Sequence, residues 1–168
     1  MKTLTTIVVG SVLLAAQSMH ASSAQSVPFE ATYQGTFTIA EPLLTFNGEG
    51  TATHLGSSTV TGTSLLVPDA VNPLCFNIVQ DTVTLRAANG DELHLVNEGQ
   101  DCLDPVTGTI TGTATTTVVG GTGRFGGATG SGTARVEAQV LGSTPDGVMG
   151  TFVLRFEGEI TAPAPIVD

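Results

Sequence analysis

The chain has 168 residues, with 15 Asp and Glu against five Lys and Arg and a formal net charge of −10. So acidic a protein repels phosphate backbones, which argues against nucleic acid as a partner. Two Cys, no Trp and 21 Gly complete a composition of strand formers and turn residues.

The first segment reads as a leader. Lys2 gives a positive start, Leu4 to Ala16 form an uncharged apolar stretch, and Ser22 and Ala24 are the small residues a signal peptidase reads before a cut. The apolar stretch falls short of the ~20 residues that a membrane-spanning helix needs. No Cys near the cut offers a lipid anchor, and no later segment is apolar enough to span. The expectation is a signal peptide over 1–24 and a secreted or periplasmic protein. One domain over 25–161 and a loose tail over 162–168, marked by Pro163 and Pro165, follow. Removing the leader removes Lys2, the only Lys, and leaves Arg86, Arg124, Arg135 and Arg155 as basic residues.

No window carries the helical spacing of apolar residues, and two-residue alternation runs throughout. A first strand over 28–39 puts Phe29, Ala31, Tyr33, Phe37 and Ile39 on one face and Glu30, Thr32, Gln34, Thr36 and Thr38 on the other. Strands near 50–56, 58–67 and 74–80 follow, with Pro42, Pro68, Pro73, Pro105 and Pro145 marking breaks along the chain.

Strands over 82–88 and 91–97 flank Asn89-Gly90 and form a hairpin. A two-residue loop would set Val83 and Leu85 on the opposite face from Leu93 and Leu95. A three-residue loop, Ala88-Asn89-Gly90 with Gly90 left-handed, instead pairs Val83 with Leu95 and Leu85 with Leu93. The same register sets Thr84 against His94 and Arg86 against Glu92 on the polar face. A one-residue slip exchanges the faces, so hydrophobicity selects the longer loop. That register brings Cys75 and Cys102 together at the open end, provided a bulge aligns them. In an exported protein such a pair reads as a disulfide.

Further strands near 107–119 and 131–141 and a last one over 148–161 bring the count to about nine. Val148, Phe152, Leu154, Phe156 and Ile160 share a face in the last. With no crossover helix, the expected fold class is all-β. An antiparallel barrel is preferred because closure removes exposed edges, and a β-sandwich is the alternative.

Between the strands at 107–119 and 131–141, Gly121-x-Gly123-x-x-Gly126 has the letters of a dinucleotide fingerprint. The following Gly127-Ala128-Thr129-Gly130 cannot open the helix that would hold a pyrophosphate, so no cofactor is expected. The segment reads instead as a tight connection with Phe125 tucked into the core.

Gly-Gly-Thr-Gly-Arg-Phe at 120–125, followed by Ala128-Thr129-Gly130, resembles the glycine turn of the allene oxide cyclase and dirigent β-barrels and of bacterial exported proteins similar to them. Ala52-Thr53-His54-Leu55-Gly56, before a Thr-rich strand, resembles the same bacterial proteins. The resemblance implies an antiparallel barrel of about eight strands around a central cavity. The acidic and polar pocket residues of allene oxide cyclases and dirigent proteins match no positions here, so neither activity is carried over.

Chemistry-bearing residues are few. His54 and His94 lack a third ligand at a fixed spacing, which argues against a metal site. Asp91, Glu92, Glu98, Asp101 and Asp104 lack the ligand ladder of a calcium loop. No nucleophile elbow is present, and Ser131 lies one residue short of that pattern. Thr-Gly-Thr at 61–63, 107–109 and 111–113 recurs without the fixed period of a solenoid. The leading expectation is an exported barrel that binds an apolar or amphipathic small molecule in its cavity without doing chemistry. An isomerase or cyclase would need Tyr33, His94, Glu92 and Arg155 to converge on one pocket. A structural or surface-interaction protein without ligand is the third reading.

Overall fold

The computed structural model describes residues 25–145 and 147–161. The expected leader, 1–24, and the expected tail, 162–168, lie outside the described residues. The alternating segments become eight strands: β1 (Ser26–Ala40), β2 (Leu43–Ala52), β3 (Gly56–Pro68), β4 (Cys75–Ala87), β5 (Glu92–Asp104), β6 (Thr109–Gly121), β7 (Thr129–Thr144) and β8 (Gly147–Thr161). Each pairs antiparallel with the next, and β8 pairs back onto β1 from Ser26↔Thr161 to Ile39↔Val148. Among the described residues the result is a closed eight-stranded antiparallel barrel, not a sandwich. Closure leaves no unpaired sheet edge. No helix among the described residues is long and apolar enough to cross a membrane.

The hairpin register follows the hydrophobic choice made above. Val83 pairs with Leu95, Thr84 with His94, Leu85 with Leu93 and Arg86 with Glu92. The loop is Ala88-Asn89-Gly90, closed by Ala87 N–H to the Asp91 carbonyl at 2.9 Å, with Gly90 left-handed at φ 91°. Val83, Leu85, Leu93 and Leu95 are all buried. Each contributes roughly 1.5–3 kcal/mol by leaving water.

Three strand boundaries differ from the sequence expectation. The expected strands at 74–80 and 82–88 are one strand, β4, broken by a bulge between Ile78 and Val83. Gln80 carries the kink in the left-handed region at φ 52°. The bulge changes which parity faces inward. Phe76 and Ile78 point into the barrel before it, and Asp81, Val83 and Leu85 after it. The strand expected at 50–56 instead runs from Leu43 to Ala52, with His54 in the turn beyond at φ 68°. Its Asn47-Gly48-Glu49-Gly50 reads as loop, yet Gly48 lies opposite Gly35 and Gly50 opposite Tyr33, where the strands approach too closely for a larger residue. Finally, β5 continues past residue 97 to Asp104.

The barrel is filled unevenly. Phe29, Tyr33, Leu55, Val60, Leu85, Leu93, Phe125 and Ile160 pack one end. The β6–β7 connection closes that end with a single 3₁₀ turn, Gly123–Phe125, which drops Phe125 into the core at 2% exposure. The disulfide Cys75–Cys102 clasps β4 to β5 at the other end.

Candidate functional site

The half of the barrel opposite Phe125 holds a cavity of about 520 Å³. Its space comes from small inward residues on β6 and β7: Gly112, Ala114, Ala134 and Ala138. Large residues rim it, including Phe37, Phe46, Leu66, Phe76 and Phe152, with Phe46 and Phe152 edge to face at 5.6 Å. Glu41, Pro42 and Pro68 carry the lining to the barrel end between β1–β2 and β3–β4. An eight-stranded barrel has an interior that side chains can fill or that can hold one small ligand. Here the two conditions occupy opposite halves.

A polar layer separates those halves. Ser64 on β3, Asp81 on β4, Asn97 on β5 and Thr116 on β6 are all buried. Thr116 Oγ1 donates to Asn97 Oδ1 at 2.6 Å, which fixes the Asn97 amide with its nitrogen toward Asp81. Asn97 Nδ2 then donates to Asp81 Oδ2, and Ser64 Oγ donates to Asp81 Oδ1. Both Asp81 oxygens thus receive donors, as a buried carboxylate requires. Burial pushes the Asp81 carboxyl above the usual range, and the bonds from Ser64 and Asn97 pull it part of the way back.

Asp101, two pairs farther along β5, is the exception. Its Oδ1 is buried and has no hydrogen-bond partner among the described residues. The carboxylate sits against Gly112, where any side chain would collide with it. Burial first, and the Asp81 charge second, push Asp101 from 3.8 up to about 6. Such a group holds or releases a proton near neutrality, and when ionised it is an unneutralised charge in the wall of an apolar chamber. Among the described residues lining the cavity the ionisable groups are Glu41, Asp81 and Asp101, with no Lys, Arg or His.

None of Tyr33, His94, Glu92 and Arg155 lines this cavity. Tyr33 is fully buried in the packed half, where its hydroxyl bonds to Ser58 Oγ at 2.8 Å and burial pushes its pKa up. His94 and Glu92 meet each other at 3.1 Å on the outer face of β5, with Arg86 3.9 Å from Glu92. Arg155 is exposed on β8. The convergence that a cyclase reading requires is absent from this arrangement. Among the described residues no group of three His, Cys, Asp or Glu is placed to hold a metal ion.

Sequence reading passed over Asp81 and placed Asp101 only in an acidic cluster, although the signal for Asp101 was present. Asp81 has the inward parity of Val83 and Leu85 only once the bulge ahead of it is known. Asp101 has that of Leu93, Leu95 and Asn97, continued through Gly99.

The fold and site define a closed antiparallel barrel with a half-empty lumen, a buried polar layer that includes Asp81 beneath the empty half, and a second carboxylate, Asp101, nearer the disulfide end. No protein-family model matches the chain, and no curated protein matches it. Solved structures similar to it include two pterocarpan synthase dirigent proteins. PsPTS1 is 11% identical with a TM-score of 0.48, over 83% of this chain and 97% of its own. GePTS1 is 11% identical with a TM-score of 0.47, over 92% of this chain and 98% of its own. The barrel assignment rests on the strand pairing itself.

Proposed function

We propose that the protein binds one apolar or amphipathic small molecule in the open half of its barrel. The observation that carries this reading is the pattern of residue size. Glycine and alanine at 112, 114, 134 and 138 hold open about 520 Å³ that aromatic and branched side chains fill at the other end. That volume is within the roughly 300–1,000 Å³ of small-molecule sites, and a mostly apolar lining with a few convergent polar groups is their usual character. Burial of apolar ligand surface supplies the affinity, and the few polar groups that line the lumen orient the ligand's polar end.

Export and residence outside the cytosol belong to the same proposal. The leader-like segment over 1–24 supports it, as does the Cys75–Cys102 disulfide, a bond that persists in oxidising compartments. The bacterial exported proteins named above are the relatives this reading favours.

The neutral fluorophore N-phenyl-1-naphthylamine tests the cavity. The protein is expected to raise its fluorescence saturably with about one site per chain. Ala134→Phe with Ala138→Phe, which puts two rings into the lumen, is expected to remove the signal. No saturable signal with the native protein, or an undiminished one with the filled variant, would overturn the reading.

A further inference from the structure

The polar equipment of the lumen is lopsided in a way that specifies a ligand. Three carboxylates line it and no cation does, among the described residues. Each Asp81 oxygen already has a donor. The Asn97 carbonyl has its donor in Thr116. The Ser64 hydroxyl proton is spent on Asp81. The carboxylate left without a donor at its buried oxygen is Asp101: its Oδ1 is shut against Gly112 with no partner among the described residues, so a ligand in the cavity meets the Asp101 charge at the carboxylate's other oxygen. A glycine at 112 keeps the space that this carboxylate occupies. A buried carboxylate without a partner is costly, and a donor brought by a ligand removes that cost.

We infer that the cavity selects a protonated amine on an apolar body, its ammonium group held at Asp101 with Asp81 behind it and its hydrocarbon among Phe37, Phe46, Leu66 and Phe152. The inference rests on the cavity reading and names the ligand class for that site. An ammonium group has three donors and no acceptor, the complement of this lumen. A carboxylate ligand would add a negative charge beside Asp81, Asp101 and Glu41 in a low-dielectric chamber, where like charges repel most strongly. A neutral alcohol can donate to Asp101 but gains no charge attraction. These three carboxylates are the ionisable groups facing the ligand from every strand that lines the cavity among the described residues. Lowering the pH through about 6 protonates Asp101 and weakens the hold on the amine.

Titration calorimetry with octylamine, octanol and octanoate, matched in chain length, tests this on the intact protein. At about pH 7.5 and low salt, octylamine is expected to bind at least about tenfold tighter than octanoate, with octanol between them. Asp101→Asn keeps the side-chain shape and is expected to bring octylamine to within about threefold of octanol. A circular-dichroism spectrum that matches the native protein's certifies that the variant is folded. Lowering the pH to about 5 should weaken octylamine binding to the native protein and leave the variant little changed. Octanoate binding as well as octylamine, or an amine preference that survives Asp101→Asn, would overturn the inference. Octanol binding without preference for the amine leaves the cavity reading standing and this one refuted. If none of the three binds, both fall together.

Discussion

Asp101 is the residue at which folding and ligand recognition oppose each other. Its carboxyl titrates near 6 in the folded protein and at its ordinary 3.8 in an exposed chain. Between those values the native state holds a proton that the unfolded chain has released. The native state therefore binds more protons, and stability falls as pH rises through that window. The stabilisation is fully present below about pH 4 and gone above about pH 6. A shift of this size corresponds to roughly 3 kcal/mol at most, less where water entering the cavity screens the charge. Asp101→Asn removes the ionisation, so the variant should be more stable than the native protein at about pH 7.5, by about 1–3 kcal/mol, and no more stable at about pH 3.5. Urea unfolding at the two pH values measures this directly. Asp81 is also raised and adds a slope of the same sign, so the variant's own pH profile should flatten without becoming level. An equal change at both pH values would mean that the Asp101 charge is not what the native state resists.

Strand β4 shows where an element was legible and where it was not. Alternation in Val83, Leu85, Leu93 and Leu95 settled the hairpin register, because a slip would put four apolar side chains in water. The disulfide was read from a pair of cysteines in an exported chain, and that register brought the two together provided a bulge aligned them. Alternation could not place the bulge. On paper, an extra residue in a continuous strand looks the same as a break between two strands. For the same reason Asp81 went unread as a lumen residue: the parity of Phe76 and Ile78 points it outward, and only the kink at Gln80 reverses this. The β2 strand was hidden differently, since Gly48 and Gly50 have strand geometry but the composition of a turn. The bulge makes its own prediction. Val is the better strand former, yet in the left-handed conformation of Gln80 a β-branched side chain is strained. Gln80→Val should therefore destabilise the exposed site by about 1–2 kcal/mol, while Gln80→Gly stays within about 1 kcal/mol of the native protein. A midpoint shift in urea distinguishes them. A stabilising Gln80→Val would show that the strand is regular in solution.

At the scale of the whole barrel, one closed sheet serves two purposes because its ends are packed differently. The Phe125 end is stabilised by burial. The 3₁₀ turn lies beside β5 and β6 and buries that ring, and Arg124 Cζ lies 5.1 Å from the ring centroid. The alanine-lined end gives up that packing and holds a chamber instead, with the Ser64–Asp81–Asn97–Thr116 layer as its floor. Because the floor is hydrogen-bonded across four adjacent strands, changes on one side of it should be felt weakly on the other. Phe125→Ala should cost about 3–5 kcal/mol, as expected for a large aromatic removed from a packed core, and leave fluorophore affinity within about threefold. Ala134→Phe with Ala138→Phe should do the reverse. It fills empty space, so stability should hold or rise by about 1 kcal/mol while binding is lost. Thermal unfolding and fluorophore titration on both variants give the four readings. If Phe125→Ala abolished binding while the protein stayed folded, the polar layer would not be an insulating floor. The barrel would then be one coupled interior, in which the packed end shapes the chamber as much as the alanines do.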